Sequence, residues 1–100
     1  MMDWELPKTD NAGATLKITG RVQKVGFRWF TVQWAQDLAL GGFVRNMHDG
    51  SVYVAVEGKR TRIESFIKEL KKGPRGSQVD NIETNWLNYE HKFRDFEIKY

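Results

Sequence analysis

The chain has 100 residues, 40% of them hydrophobic and 29% charged, which is typical of a single globular domain. It contains no cysteine, and this excludes disulfides, thiolate nucleophiles and cysteine-based zinc sites. The net charge of +3 favours anionic partners in general without selecting nucleic acid. No apolar run approaches the ~20 residues of a membrane span, so no membrane association is expected.

The N-terminal segment lacks any apolar period, and Pro7, Asn11 and Gly13 interrupt regular structure. We therefore predict a flexible tail over residues 1–13 and one domain over residues 14–100. The first residues also lack the basic and apolar regions of a signal peptide, so a cytoplasmic location is expected.

A strand and a helix open the predicted domain. Apolar and polar residues alternate over Thr15–Thr19, which is the period of a strand. Apolar residues then recur at spacings of three and four, which predicts a helix from Phe27 to about Ala39. Gly41 and Gly42 are expected to end that helix with a left-handed cap.

A hairpin follows the first helix. Phe43–Met47 and Ser51–Glu57 have the character of two short strands. Asp49 and Gly50 lie between them and suit a tight turn, because such turns need positive φ angles.

The last third of the chain predicts a second helix and two more strands. Thr61 and Glu64 have the spacing of a capping box at the helix start. Gly73 and the proline after it end the helix. Val79–Trp86 is a weaker strand candidate, and alternation in Phe96–Tyr100 predicts a strand at the C-terminus.

The order of these elements is β-α-β-β-α-β with one further C-terminal strand. It predicts an α+β fold, the ferredoxin-like split βαβ sandwich, with an antiparallel sheet and two helices on one face. A right-handed crossover would place the first and third strands side by side. The first loop and the end of the second strand would then share one edge of the domain.

The loop between the first strand and the first helix has the features of an anion-binding device. Gly20 and Gly26 frame it, and Arg28 falls in the first turn of the helix. Glycine allows close approach of the backbone to a ligand, and free amides at a helix N-terminus attract negative charge. Arginine adds a planar fork that matches two phosphate oxygens.

From about Thr15 to Tyr100 the chain resembles the acylphosphatases. The matching segments occur in the family's order and at similar spacing; they are Gly20 to Arg28, Gly42-Phe43-Val44-Arg45-Asn46, Asp49-Gly50-Ser51-Val52, Glu57-Gly58, Leu70 with Gly73-Pro74, and Phe96-x-Ile98-x-Tyr100. The resemblance implies an enzyme that hydrolyses the carboxyl-phosphate bond of acyl phosphates to a carboxylate and inorganic phosphate. It implies a monomer that acts on a small-molecule substrate. It also implies that the enzyme needs no metal or cofactor and binds no nucleic acid.

The resemblance also implies a role for each site residue. Arg28 corresponds to the arginine that grips the phosphate, and Asn46 to the asparagine that orients the attacking water. The substrate's own phosphate would accept the proton. The loop that would bind the phosphate oxygens consists of Val22, Gln23, Lys24, Val25 and Gly26.

Each of these residues also has an ordinary structural interpretation. A lone arginine is usually a solvated helix residue, and an asparagine such as Asn46 is common where a hairpin turn begins. Strand parity favours the functional interpretation, because Asn46 must point towards the helices if Val44 does. His91 has only Glu90 as a neighbour at ligand spacing, so no metal site is expected.

Lys24 departs from the family pattern, which most often has glycine there. At positive φ a lysine costs on the order of 1–2 kcal/mol of strain. That strain could weaken phosphate binding, or the lysine charge could partly compensate, and the sequence leaves both outcomes open. The alternative function is therefore a catalytically weakened phosphate-binding module of the same fold.

A nucleic-acid-binding sheet is a third class with this topology. Such sheets stack bases on aromatic side chains of their central strands. The first strand instead exposes Thr15, Lys17 and Thr19, which disfavours this function.

Overall fold

The computed structural model describes residues 10–100, so residues 1–9 of the tail predicted over residues 1–13 lie outside the described residues. The first strand begins at Asn11, four positions before the expected Thr15. Asn11, Ala12 and Gly13 pair with Lys59, Gly58 and Glu57. These three residues, expected in the tail, therefore belong to the sheet.

The elements follow the predicted order. They are β1 (Asn11–Arg21), α1 (Phe27–Asp37), β2 (Gly41–Asn46), β3 (Val52–Lys59), α2 (Arg60–Lys72), β4 (Gln78–Leu87) and β5 (Phe96–Lys99). The sheet order is β4-β1-β3-β2-β5, which confirms that the first and third strands are neighbours. β5 runs parallel to β2, so the sheet is mixed and the expectation of a wholly antiparallel sheet is wrong.

The core lies between the sheet and the two helices. α2 packs on β1, β3 and β4, while α1 packs on β2 and β5. Because side chains alternate along a strand, every second side chain of each strand points into this layer. Full burial of one such apolar side chain contributes about 1.5–3 kcal/mol to the free energy of folding. The buried apolar residues include Leu16, Ile18, Val44, Val52, Val54, Val56, Phe27, Ile63, Phe66 and Leu70.

The end of α1 differs from the prediction. The residue in the left-handed conformation is Ala39, with φ 56, and not a glycine. The amide of Leu40 donates to the carbonyl of Ala35, and that of Ala39 to Gln36, which is the Schellman pattern. Gly41 and Gly42 already belong to β2. Gly42 is required there because a Cβ would overlap the carbonyl oxygen of Ala55 on β3.

The start of α2 also differs from the prediction. The helix begins at Arg60, without a side-chain cap, so the expected capping box at Thr61 and Glu64 does not form. Glu64 instead pairs with Arg60 one turn earlier, at 3.3 Å. The amide of Arg60 donates to the carbonyl of Asp10, so the backbone before β1 satisfies part of the helix start.

The sheet face away from the helices carries an aromatic cluster that the sequence argument overlooked. The ring of Phe43 lies 6.1 Å from that of Tyr53 and 6.0 Å from that of Phe93. These rings help to line a cavity of about 490 Å³ that also reaches Glu57 and Leu87. β1 carries Thr15, Lys17 and Thr19 on this same face, as expected; Lys17 is exposed and the two threonines are half-buried.

Candidate active site

The loop after β1 is held at both ends by the core. Val22 and Phe27 are each 1% exposed and anchor the backbone between them. Two residues within the loop are left-handed, Lys24 with φ 64 and Gly26 with φ 77. In the described part of the chain, the amides of residues 23–26 donate to no other group. The loop thus presents a row of free donors.

The first turn of α1 continues this row of donors. Gly26 is the N-cap, no side chain caps the helix, and the first turn contains no acidic residue. The first four amides of a helix have no partner within it, and the helix dipole makes this end electropositive. The loop and the helix start together form a site suited to an anion.

Arg28 lies in the first turn of α1, as predicted. Its side chain is half-buried, and its guanidinium carbon lies 4.8 Å from the centre of the Tyr100 ring. A guanidinium that packs on an aromatic face loses part of its freedom but keeps its donors at the edge of the plane. Tyr100 therefore lies beside Arg28 and leaves the guanidinium donors available to a ligand.

Asn46 is the last residue of β2. Val44 is fully buried beneath the helices, so parity directs Asn46 to the same side of the sheet. Its Oδ1 is buried and has no hydrogen-bond partner among the described residues. Buried polar atoms are nearly always paired, so an unpaired one marks a place where a water or a ligand belongs.

A cavity of about 160 Å³ brings most of the predicted site residues together. It is lined by Val22, Lys24, Gly26, Phe27, Arg28, Trp29, Asn46 and Ile98. The topology brings these residues together, because β1, β2 and β5 run in the same direction. The loop after β1, the end of β2 and the end of β5 therefore lie at the same end of the sheet. Gln23 and Val25, also predicted for the site, do not line the cavity.

Gln23 connects the loop to the β2–β3 turn. Its Nε2 donates to the carbonyl oxygens of Met47 at 2.8 Å and Ser51 at 2.9 Å. Met47 directly follows Asn46, so Gln23 ties the loop to the residue beside the asparagine. The sequence argument assigned only the Gln23 backbone to the site, although a long amide with two donors is suited to such a brace.

The turn itself is internally bonded. Asp49 accepts hydrogen bonds from the Ser51 hydroxyl at 2.6 Å and the Ser51 amide at 2.9 Å, and it pairs with Lys17 at 3.2 Å. These contacts, the Ser51 hydroxyl first, lower the pKa of Asp49 to about 2. The expected turn role of Asp49 is confirmed, and His48 is exposed in the turn as expected.

Residues 10–100 contain no cluster of three or more histidine, cysteine or acidic residues arranged to hold a metal ion. None of the helices in this range is long and apolar enough to cross a membrane.

Comparison with known proteins identifies the family. The acylphosphatase family model matches residues 14–98. An acylphosphatase of Koribacter versatilis is 48% identical over 82 residues, covering 82% of this chain and 74% of the relative. One of Caldanaerobacter subterraneus is 43% identical, covering 83% of this chain and 92% of the relative. The crystal structure of the Bacillus subtilis acylphosphatase superposes with TM-score 0.87 and 32% identity, covering 89% and 99% of the two chains.

The chain therefore belongs to the acylphosphatase family. This confirms the family, the ferredoxin-like α+β fold, the enzyme class and the acylphosphatase function predicted from the sequence.

Proposed function

We propose that Arg28, Asn46 and the loop of residues 22–26 carry out the hydrolysis of acyl phosphates. In this reaction a water oxygen forms a bond to phosphorus while the bond from phosphorus to the acyl oxygen breaks. The carboxylate leaves, and the proton of the water passes to an oxygen of the phosphate. Such a reactive phosphoryl donor needs mainly charge stabilisation and a positioned water.

The loop and Arg28 would bind the phosphate. The free amides of residues 23–26, the open N-terminus of α1 and the guanidinium of Arg28 all present donors near one small cavity. Donors held in place before the reaction stabilise charge that develops in the transition state without further reorganisation. Arg28 can contact two phosphate oxygens at once.

Asn46 carries the proposal for the attacking water. A side-chain amide has both a donor and an acceptor, so it can orient a water but cannot remove its proton. Two observations favour this role: Asn46 lines the same cavity as Arg28, and its buried Oδ1 has no hydrogen-bond partner among the described residues. A water that donates to this oxygen would satisfy it and direct a lone pair towards the phosphorus.

Lys24 supports a second candidate function, a phosphate-binding protein with weakened turnover. The lysine stands where the family usually has glycine, and its φ is 64. The strain of about 1–2 kcal/mol considered above acts on the loop whose amides would hold the phosphate. In this case inorganic phosphate would bind but substrate would turn over slowly.

Loss of the ultraviolet absorbance of benzoyl phosphate distinguishes the two candidates. We expect steady turnover by protein treated with EDTA, with inorganic phosphate as a competitive inhibitor. Phosphate binding without turnover would favour the second candidate. Activity that EDTA abolishes and a divalent ion restores would contradict the metal-independent mechanism.

We further propose that the protein acts as a monomer in the cytoplasm, without a cofactor or a nucleic acid partner. The modest net charge of +3 fits a small anionic substrate. Light scattering at working concentration, with and without RNA, tests the monomer and the lack of nucleic acid binding.

A further inference from the structure

Apolar side chains surround the proposed phosphate site on its solvent side. The large apolar residues exposed in the described chain are Trp29, Met47, Leu87, Tyr89 and Tyr100. Trp29 lines the same small cavity as Arg28 and Asn46. Met47 and Tyr100 line an adjoining cavity of about 450 Å³ that also reaches Asn46. Three of the five exposed apolar residues thus flank one asparagine.

Trp29 has the largest aromatic ring system among these exposed residues. It directly follows Arg28 in α1, and its side chain is 62% exposed. An indole contributes strongly to binding when a planar or apolar group covers it, and exposed apolar surface that adjoins a site often belongs to it. Trp29 therefore has a binding surface that the phosphate alone would leave unused.

Tyr100 provides a second surface beside Arg28. Tyr100 is 93% exposed as a residue, and its ring packs against the guanidinium of Arg28. One aromatic residue thus contacts the arginine, and another follows it along the helix. A ligand that Arg28 holds has aromatic rings next to it.

The chemistry of the reaction indicates what occupies this surface. The phosphate oxygens would face the loop amides and Arg28, so the acyl group must extend from the cavity towards its rim. The small cavity is lined by two cationic residues, Lys24 and Arg28, and by no acidic residue. The phosphate would satisfy the cations and leave the apolar rim for the rest of the substrate.

We propose that Trp29, assisted by Tyr100, determines acyl specificity and that the preferred substrates are acyl phosphates with an aromatic acyl group. This inference rests on the proposed function of the site. It adds that the protein distinguishes acyl groups by apolar contact, in addition to binding the phosphate that all acyl phosphates share.

The test is the ratio of kcat/KM for benzoyl phosphate to that for acetyl phosphate. Trp29→Ala should lower this ratio about 5–10-fold, because a stacked aromatic contact is lost only for the benzoyl group. Trp29→Phe should keep most of the ratio. Leu87→Ala is the matched control. Leu87 is also apolar and 50% exposed, but it lines the cavity of about 490 Å³ beside Glu57, away from Arg28.

A readout with inorganic phosphate separates acyl recognition from damage to the phosphate site. The inhibition constant of phosphate should stay the same in Trp29→Ala, because phosphate has no acyl group. A ratio that Trp29→Ala leaves unchanged, with both substrates still hydrolysed, would overturn the acyl proposal alone. If the unaltered protein hydrolyses neither substrate, the proposed function fails and this proposal fails with it.

Discussion

Two loops at opposite ends of the sheet differ in whether their backbone amides have hydrogen-bond acceptors. In the segment after β4, the amides of Glu90 and Lys92 donate to the carboxylate of Glu57 at 2.7 and 2.8 Å. Glu57 is 5% exposed and lies on β3. In the loop after β1, the amides of residues 23–26 have no acceptor among the described residues.

The same arrangement of amides therefore serves structure at one end of the sheet and, under the proposed function, ligand binding at the other. The loop after β4 is closed, because its amides bind the Glu57 carboxylate of β3 and this anion belongs to the fold. A loop with free amides beside an arginine is open to an anion from solution. Cavity size does not identify the open loop, because the cavity beside Glu57, about 490 Å³, is larger than the one beside Arg28, about 160 Å³.

Removal of Arg28 tests the open loop most directly. Arg28→Ala should lower kcat/KM for benzoyl phosphate by roughly 10³–10⁴-fold, because two charge-assisted hydrogen bonds are lost. Inhibition by phosphate should weaken in parallel. Arg28→Lys keeps the charge without the planar fork, so its kcat/KM should lie between those of the unaltered protein and Arg28→Ala. Unchanged phosphate inhibition in Arg28→Ala would contradict the assignment.

Asn46→Ala should separate the water from the phosphate. We expect kcat to fall by ~10²–10³, the scale for loss of one well-placed polar group, with phosphate inhibition nearly unchanged. Steady-state kinetics with benzoyl phosphate measure both parameters. A variant in which only KM rises would show that Asn46 binds substrate and does not position the water.

Glu57→Ala tests the closed loop. Loss of the acceptor for two part-buried hydrogen bonds should lower the free energy of unfolding by about 2–4 kcal/mol, measured by urea denaturation. Phosphate inhibition of the folded variant should stay the same, because the site is at the other end of the sheet. Glu90→Ala removes an exposed carboxylate from the same segment and is the control. A stable Glu57→Ala protein with altered phosphate inhibition would invalidate the comparison.

Lys24→Gly should have the smallest effect. Glycine relieves strain of about 1–2 kcal/mol at φ 64 but raises the entropy of the unfolded chain by roughly 0.5–1 kcal/mol. We therefore expect an unchanged or slightly higher Tm and equal or faster turnover. Melting curves and phosphate inhibition at two ionic strengths measure these effects. A lower Tm with a salt-dependent loss of phosphate affinity would show that the lysine charge matters more than the strain.

The sequence by itself determined the order of the elements and led to the proposal of the central site residues. Alternation and helical spacing predict the order of elements because these periods follow from backbone geometry alone. The turn at Asp49 and Gly50 follows from the φ angles that a tight hairpin requires. Resemblance to the family supplied Arg28 and Asn46, and the fold places both at one cavity.

Only the tertiary structure decided which distant groups meet. Gln23 bonds to Ser51 across 28 positions, and Lys92 to Glu57 across 35. The glycine at 42 serves the close approach of β3, while Ala39 takes the left-handed position expected of glycine. Local periodicity does not contain these pairings, because they depend on strand order and on which side chains the packing brings within hydrogen-bond reach.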